Sequence, residues 1–348
     1  MQKPDFSFFK KLYRRIGIDF GSSRLRVCTD QDGVVFDQPS CIAIEDSNDR
    51  VIAIGDEALE IQGRMQQRLT VHWPIKKGVI YDQKIAQALL RRTITPLLRT
   101  ALLYGPEIMV SVPGSASPAQ RQATTELMYS LGAREVYTIA QPLAASIGAG
   151  VPIADPSGSF ILQLGEGVVE TAVVSLGSMV SCQRAMYAGD FLKQHMQFVV
   201  ANELELQLSS SVIEKLLHTT ASLQPDSRTD ALVTGKEAGT HSPREIHISS
   251  TVLHPAVVYI VDEVEAAIKH TLEDIPAELT VDIIDKGLLL TGGLARLHGL
   301  DMFLIQKLGM PVSVVDEPEL AVIDGIKIAL VHLDEFKQSL GYWDTAAV

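Results

Sequence analysis

The chain has 348 residues, 46% hydrophobic and 21% charged, with a formal net charge of −12. That length holds two domains with separate cores, and that composition excludes a disordered chain. The acidic balance argues against nucleic acid as the main partner, and no apolar run reaches the ~18 residues of a membrane span.

Residues 1–15 differ in character from the rest of the chain. The segment carries Phe6, Phe8, Phe9 and Leu12 together with Lys10, Lys11, Arg14 and Arg15. On a helix, Phe8, Phe9, Leu12 and Ile16 share one face and the cations fall mostly on the other. This pattern fits an amphipathic helix lying in an anionic membrane surface. A solvated terminus and a helix docked on the body are the alternatives, and the same charges speak against a signal-peptide core.

From Ile16 to Ile54 the pattern is one of short strands, the first two joined by the glycine turn of Asp19-Phe20-Gly21-Ser22-Ser23-Arg24. Asp56–Gln67 and Asp82–Leu98 read as helices, the second kinked or stopped by Pro96. Glu107–Pro113 is a strand, and Ser117-Pro118 opens a helix that runs to Leu131-Gly132. Val136–Ile139 is a buried strand followed by a helix over Pro142–Gly148. A second strand–glycine–strand unit spans Phe160–Val174, with its turn at Gln163-Leu164-Gly165-Glu166-Gly167-Val168. Two such hairpins imply a duplicated fold that clamps a nucleotide, because glycine lets backbone N–H groups approach a phosphate. Beyond it, Leu192–Leu217 reads mainly as helix, Thr219–Arg244 as loop and edge strands, and Val252–Ile275 as a long helix. Gly287–Gly293 is a strand entering a glycine turn, Leu297–Leu308 a helix, Val312–Val315 a strand and Glu319–Val331 a closing helix. Cys28, Cys41 and Cys182 have no metal-binding or disulfide spacing and are expected as reduced thiols. The nine histidines form no HxxxH or HExxH pattern.

In this order the glycine segments resemble the actin-like ATPase superfamily, and within it the MreB bacterial actins. Gly132-Ala133-Arg134-Glu135-Val136-Tyr137, Ala144 to Pro152, Ile275-Pro276-Ala277-Glu278-Leu279 and Leu290-Thr291-Gly292-Gly293 carry the resemblance, which covers nearly the whole chain. It implies an α/β, ribonuclease-H-like duplicated fold with two domains of two subdomains each around a nucleotide cleft. The expected bounds are 16–145 with 325–348 for the first domain, its small subdomain at about 33–75. The second domain is expected at 146–324, its small subdomain at about 182–250. ATP and Mg are the implied cofactors. Self-assembly into filaments beneath the inner membrane, organising wall synthesis with membrane proteins, is the implied role. An intact MreB is a further possible filament partner.

The resemblance also assigns site residues, and this sequence departs from the family at many of them. In the first loop Asp19 keeps the carboxylate that holds the hydrated metal, Gly21 keeps the turn, and Ser22 and Ser23 keep hydroxyl donors. Arg24 replaces an amide with a cation that either pairs with phosphate or faces solvent. In the second loop the family's Asp-Ile-Gly-Gly-Gly-Thr-Thr-Glu is Gln163 to Glu170 here. Gln163 loses the charge that supports the metal, and Gly165 and Gly167 remain. Val168 loses a hydroxyl. Glu166 adds a carboxylate beside the phosphate seat, where two anions ~4 Å apart repel by about 4 kcal/mol at intermediate dielectric. The alternatives for Glu166 are a side chain turned outward or one that takes over metal binding from Gln163. Gln141 stands at the catalytic glutamate's place in Ala140-Gln141-Pro142 and can orient a water but cannot act as a general base. The ribose-binding Glu-x-x-Lys pair falls on Ile213 and Leu216, or on Glu214 and Lys215 if the register slips by one. The third motif, Gly292-Gly293-Leu294, lacks its last glycine. A family loop that inserts into lipid corresponds to Leu102, Leu103 and Tyr104, for which packing at a helix end is the alternative.

Together these features predict a membrane-associated filament or scaffold with weak or lost ATP hydrolysis. An active polymerising ATPase with compensated substitutions and a non-polymerising adaptor of a membrane machine are the competing classes.

Overall fold

Two five-stranded sheets share one strand plan. A computed structural model of the chain describes residues 15–64, 68–100, 105–152, 154–224, 227–240 and 242–334. The membrane expectations on Phe6, Phe8, Phe9, Leu12, Leu102, Leu103 and Tyr104 therefore lie outside the described residues. The chain divides into two units, Met1–Pro152 with Leu320–Val348, and Ile153–Glu319.

In the first unit, β1 (Arg15–Phe20), β2 (Arg24–Thr29) and β3 (Gly33–Pro39) form an antiparallel meander. A three-stranded sheet follows, with β4 (Ile42–Glu45) between β5 (Arg50–Ile54) and β6 (Leu69–His72). It packs its own small core of Cys41, Ala43, Ala53 and Ala58 against α1 (Gly55–Arg64). The short pair β7 (Ile75–Lys76) and β8 (Val79–Ile80) leads to α2 (Gln83–Ile94), capped by the Asp82 carboxylate. Pro96 stops that helix as expected, and a 3-10 turn over Thr95–Thr100 takes over. β9 (Glu107–Val112) runs parallel to β1, and β10 (Glu135–Ala140) parallel to β9. Between them α3 (Pro118–Ser130) opens with a capping box made by Ser117 and Gln120. α4 (Gln141–Gly148) follows β10 directly.

The second unit repeats the plan. β11 (Ser159–Leu164), β12 (Val169–Ser175) and β13 (Ser178–Arg184) form the meander. After α5 (Gly189–Leu204), β14 (Leu206–Gln207) and α6 (Ser210–Thr219), a small sheet adds β15 (Asp230–Glu237) and β16 (Pro243–Ser249) to β14. α7 (Ser250–Glu273) and α8 (Ala277–Lys286) lead to β17 (Leu288–Thr291), parallel to β11. α9 (Leu300–Leu308) then leads to β18 (Val312–Val314), parallel to β17. Even the irregularities repeat, because β2–β3 slips register at Val27/Cys28 and β12–β13 at Val173/Val174.

The closing helix α10 (Ala321–Val331) returns to the first unit and packs on α4. The two helices touch backbone to backbone. A Cβ on Gly325 would strike the Ala144 carbonyl, and one on Gly148 the Ala321 carbonyl. Cys28 and Cys41 are fully buried, which pushes both thiols up to about 12.

One expected element is corrected. The helix read over Leu192–Leu217 is two helices, broken where Glu205 turns left-handed at φ 52° and Leu206–Gln207 pair with Lys236–Glu237 of β15. Apolar residues continue across the break because β14 also faces the core, so periodicity alone does not reveal it.

Candidate functional site: two glycine hairpins

The hairpin of β1 and β2 ends in Asp19-Phe20-Gly21-Ser22-Ser23-Arg24, closed by the Gly21 amide donating to the Arg24 carbonyl at 3.1 Å. Strand register decides what Asp19 meets. Asp19 sits opposite Arg26 on β2, and Arg26 sits opposite Asp37 on β3. Directly opposed residues share a sheet face, so the three side chains form one cross-strand row. Asp19 and Arg26 are buried, at 6% and 8% exposure. Asp19 Oδ1 accepts from the Ser111 hydroxyl at 2.8 Å, and Oδ2 lies 3.7 Å from Arg26 Nη1. Arg26 Nε lies 3.3 Å from Asp37 Oδ2. Burial raises the Asp19 carboxyl above its ordinary range, against the pull of Arg26 and Ser111.

The rest of this loop is braced from within. Arg24 Nε donates to Asp37 Oδ1 at 2.6 Å, and Nη2 donates to the Asp37 carbonyl at 2.9 Å. Arg24 thus pairs with the Asp37 carboxylate, a partner beyond the phosphate and solvent that the sequence suggests. Ser40 Oγ donates to the Gly21 carbonyl, and the Gly78 amide donates to Ser22 Oγ at 3.0 Å, leaving the Ser22 proton available. Gln141 is the first residue of α4 and is buried at 7% exposure.

In the second unit the hairpin of β11 and β12 closes the same way, the Gly165 amide donating to the Val168 carbonyl at 2.9 Å. Its carbonyls cap α5, because Gly165 and Glu166 accept from the Gly189 and Asp190 amides at 3.2 and 2.7 Å. The Gly167 carbonyl accepts from Arg184 Nη2 at 3.3 Å, and Val168 is buried. Gln163 is buried at 8% exposure, and its Oε1 has no hydrogen-bond partner.

Glu166 is neither turned out to water nor drawn toward Gln163. Its Oε1 lies 2.5 Å from Lys193 Nζ, one turn into α5, and the same ammonium lies 2.6 Å from Glu214 Oε2 on α6. His218 Nε2 stands 3.2 Å from Glu214 Oε1. Burial lifts the Glu166 carboxyl above its ordinary range, with Lys193 opposing. Burial alone would lower Lys193, but the two carboxylates outweigh it and raise it. Glu214 is held down to about 2, chiefly by the His218 hydrogen bond and then by Lys193. Sequence reasoning did not single out Lys193, because a lysine on an amphipathic helix looks like any solvated cation.

The aligned positions Ile213 and Leu216, whose apolar side chains cannot hydrogen-bond a ribose, are 3% and 0% exposed and belong to the core of the second unit. The open face of α6 carries Glu214 and Lys215 instead, as a slip of one residue would have it. Leu294 is buried in the same core. Gly292 adopts φ 84° and lies so near the second hairpin that a Cβ would strike the Leu164 carbonyl, whereas the space beside Gly293 is open.

In neither unit taken by itself do the residues present fit a divalent metal. Asp19 already faces a buried guanidinium and a hydroxyl donor, Gln163 offers a neutral amide, and Glu166 is bound to an ammonium. Among the described residues, no group of three or more His, Cys, Asp or Glu side chains gathers where an ion could sit. In the first unit the hydroxyls of Ser22 and Ser23 remain as donors suited to an anion.

Comparison with known proteins gives a consistent answer. The MreB/Mbl protein family matches residues 13–338. The cell shape-determining protein Mbl of Bacillus subtilis is 31% identical over 323 residues, covering 92% of this chain and 97% of Mbl. The cell shape-determining protein MreB of Escherichia coli is 30% identical over 325 residues, covering 92% and 94%. Among solved structures, MreB5 of Spiroplasma citri bound to AMPPNP superposes with a TM-score of 0.89 at 22% identity, covering 94% of this chain and 98% of that one. The MamK double helical filament superposes with a TM-score of 0.78 at 18% identity, covering 93% and 99%. The fold is therefore actin-like, and the chain belongs to the MreB/Mbl family.

Proposed function

We propose that this chain is a cytoskeletal scaffold of the cell-shape type, built on the actin-like fold and lacking efficient ATP hydrolysis. One observation carries the reading. The carboxylate that should hold a hydrated metal, Asp19, is buried against Arg26, and Gln163 and Gln141 supply only amides where the family has carboxylates. Hydrolysis of a triphosphate needs charge neutralised at the phosphates and a water activated in line. These residues supply a positioned amide at Gln141 but no general base and no metal support.

Self-association is supported by relatives of the same fold, one of which is described as a double helical filament. Weak nucleotide binding is supported by structural neighbours that carry AMPPNP and ADP, and by the hydroxyls of Ser22 and Ser23. Among the described residues no helix is long and apolar enough to cross a membrane. Attachment to the inner face of the cell membrane is supported by the aromatic and basic composition of residues 1–15.

Sedimentation with and without Mg-ATP, paired with a phosphate-release assay, tests the proposal. Pelleting that is indifferent to Mg-ATP, with phosphate release at background, is the expected result. Steady turnover at micromolar Mg-ATP would sink it. Deleting residues 2–13 should abolish co-sedimentation with anionic liposomes; unchanged binding would refute the anchor.

A further inference from the structure

We propose that the Arg26 guanidinium replaces a divalent metal as the resident counter-charge of Asp19, so that the first phosphate-loop half is complete without a metal ion. The assignment rests on the reading of a poorly hydrolysing site and goes further, because it names the residue that makes the site metal-independent.

Three features of the geometry support it. First, Arg26 is placed by backbone register and not by a flexible loop. It sits in the middle of β2, flanked by Asp19 on β1 and Asp37 on β3, so sheet pairing holds its charge beside both carboxylates. Second, each Asp19 oxygen already faces a donor or a cation. Oδ1 accepts from Ser111 at 2.8 Å, and Oδ2 faces Arg26 Nη1 at 3.7 Å. A metal at the same carboxylate would meet a guanidinium at close range inside a buried site, where little solvent screens the repulsion. Third, the cluster is neutral as built. Asp19 and Asp37 are matched by Arg26 and Arg24, with Arg24 Nε 2.6 Å from Asp37 Oδ1. A metal-dependent version of the cluster would carry the two carboxylates with fewer fixed cations. Arginine suits the substitution because its guanidinium stays protonated under all ordinary conditions and bridges two carboxylates at once.

Equilibrium binding of Mn2+ alone to the full-length chain, read as loss of the free-ion paramagnetic resonance signal, tests this. The wild-type chain should sequester no ion at a micromolar site. R26Q should bind Mn2+ at least ~10-fold tighter than wild type, and the double variant R26Q/D19N should lose that gain. Uptake by the wild type that D19N abolishes would overturn the assignment, as would R26Q binding no tighter than wild type. Should circular dichroism show R26Q unfolded, the wild-type and D19N titrations decide alone, with R26K expected to behave as wild type. Phosphate release is scored separately. A wild-type chain that hydrolyses ATP yet sequesters no Mn2+ at Asp19 sinks the hydrolysis reading and leaves Arg26 in place. Sequestration without hydrolysis does the reverse.

Discussion

The two glycine hairpins share a backbone and differ in how they handle charge. In the first, a carboxylate at the end of β1 is opposed by an arginine fixed in mid-strand, and both are buried. In the second, the added carboxylate of Glu166 is opposed by Lys193, whose flexible chain comes from a helix, and about a fifth of each side chain remains exposed. The first pairing is part of the sheet, whereas the second is a side-chain clasp laid over it. Rigid burial makes the first pair costly to break, and partial exposure makes the second weaker and more responsive to solution conditions.

Substitutions can break or sharpen that contrast. R26L should have the largest effect, about 3–5 kcal/mol lost in urea denaturation, because it leaves Asp19 buried and its neighbour Asp37 half matched. A loss no greater than that of R24L would erase the distinction between the hairpins. K193M should cost about 2 kcal/mol by removing a charged hydrogen bond from two carboxylates. The same measurement should show no change in the first hairpin's response to R24L if the units are independent.

The Glu166–Lys193–Glu214 cluster of the second unit has a pH dependence of its own. Glu214 falls from an ordinary 4.5 to about 2 in the folded chain, so its contribution is present above 4.5 and is lost as pH falls from 4.5 toward 2. With nearly half of its side chain exposed, solvent screening reduces that contribution to about 1 kcal/mol. E214Q should therefore be less stable than wild type at neutral pH by about that amount, and the gap should close on acidification. A gap that stays constant would mean that Glu214 contributes by packing and not by charge. Glu166 is shifted upward and acts in the opposite sense, since its contribution is lost as pH rises through its raised value. R24L should have the smallest effect, below about 1 kcal/mol, because its ion pair with Asp37 is partly exposed and screened by solvent.

Much of this was legible in the chain. The two strand–glycine–strand units, the stop at Pro96 and the cap at Ser117 are local signals, and each appears where its residues predict. The break between α5 and α6 was not legible, because Leu206 is core-facing in a short strand much as it would be in a helix. The choice between Ile213 with Leu216 and Glu214 with Lys215 was left open for a related reason. A one-residue shift on a helix moves a position by about 100°, which is enough to exchange a ligand face for a core face.

The sequence by itself determined the duplicated α/β plan and the neutral side chains at Gln141, Gln163 and Val168, because identity and short-range periodicity are read directly along the chain. Only the tertiary structure decided which cation answers which carboxylate. Arg26 meets Asp19 across the hairpin, and Lys193 meets Glu166 and Glu214, through strand register and helix docking. Such pairings depend on which distant backbones come to lie side by side, which no local stretch of residues encodes.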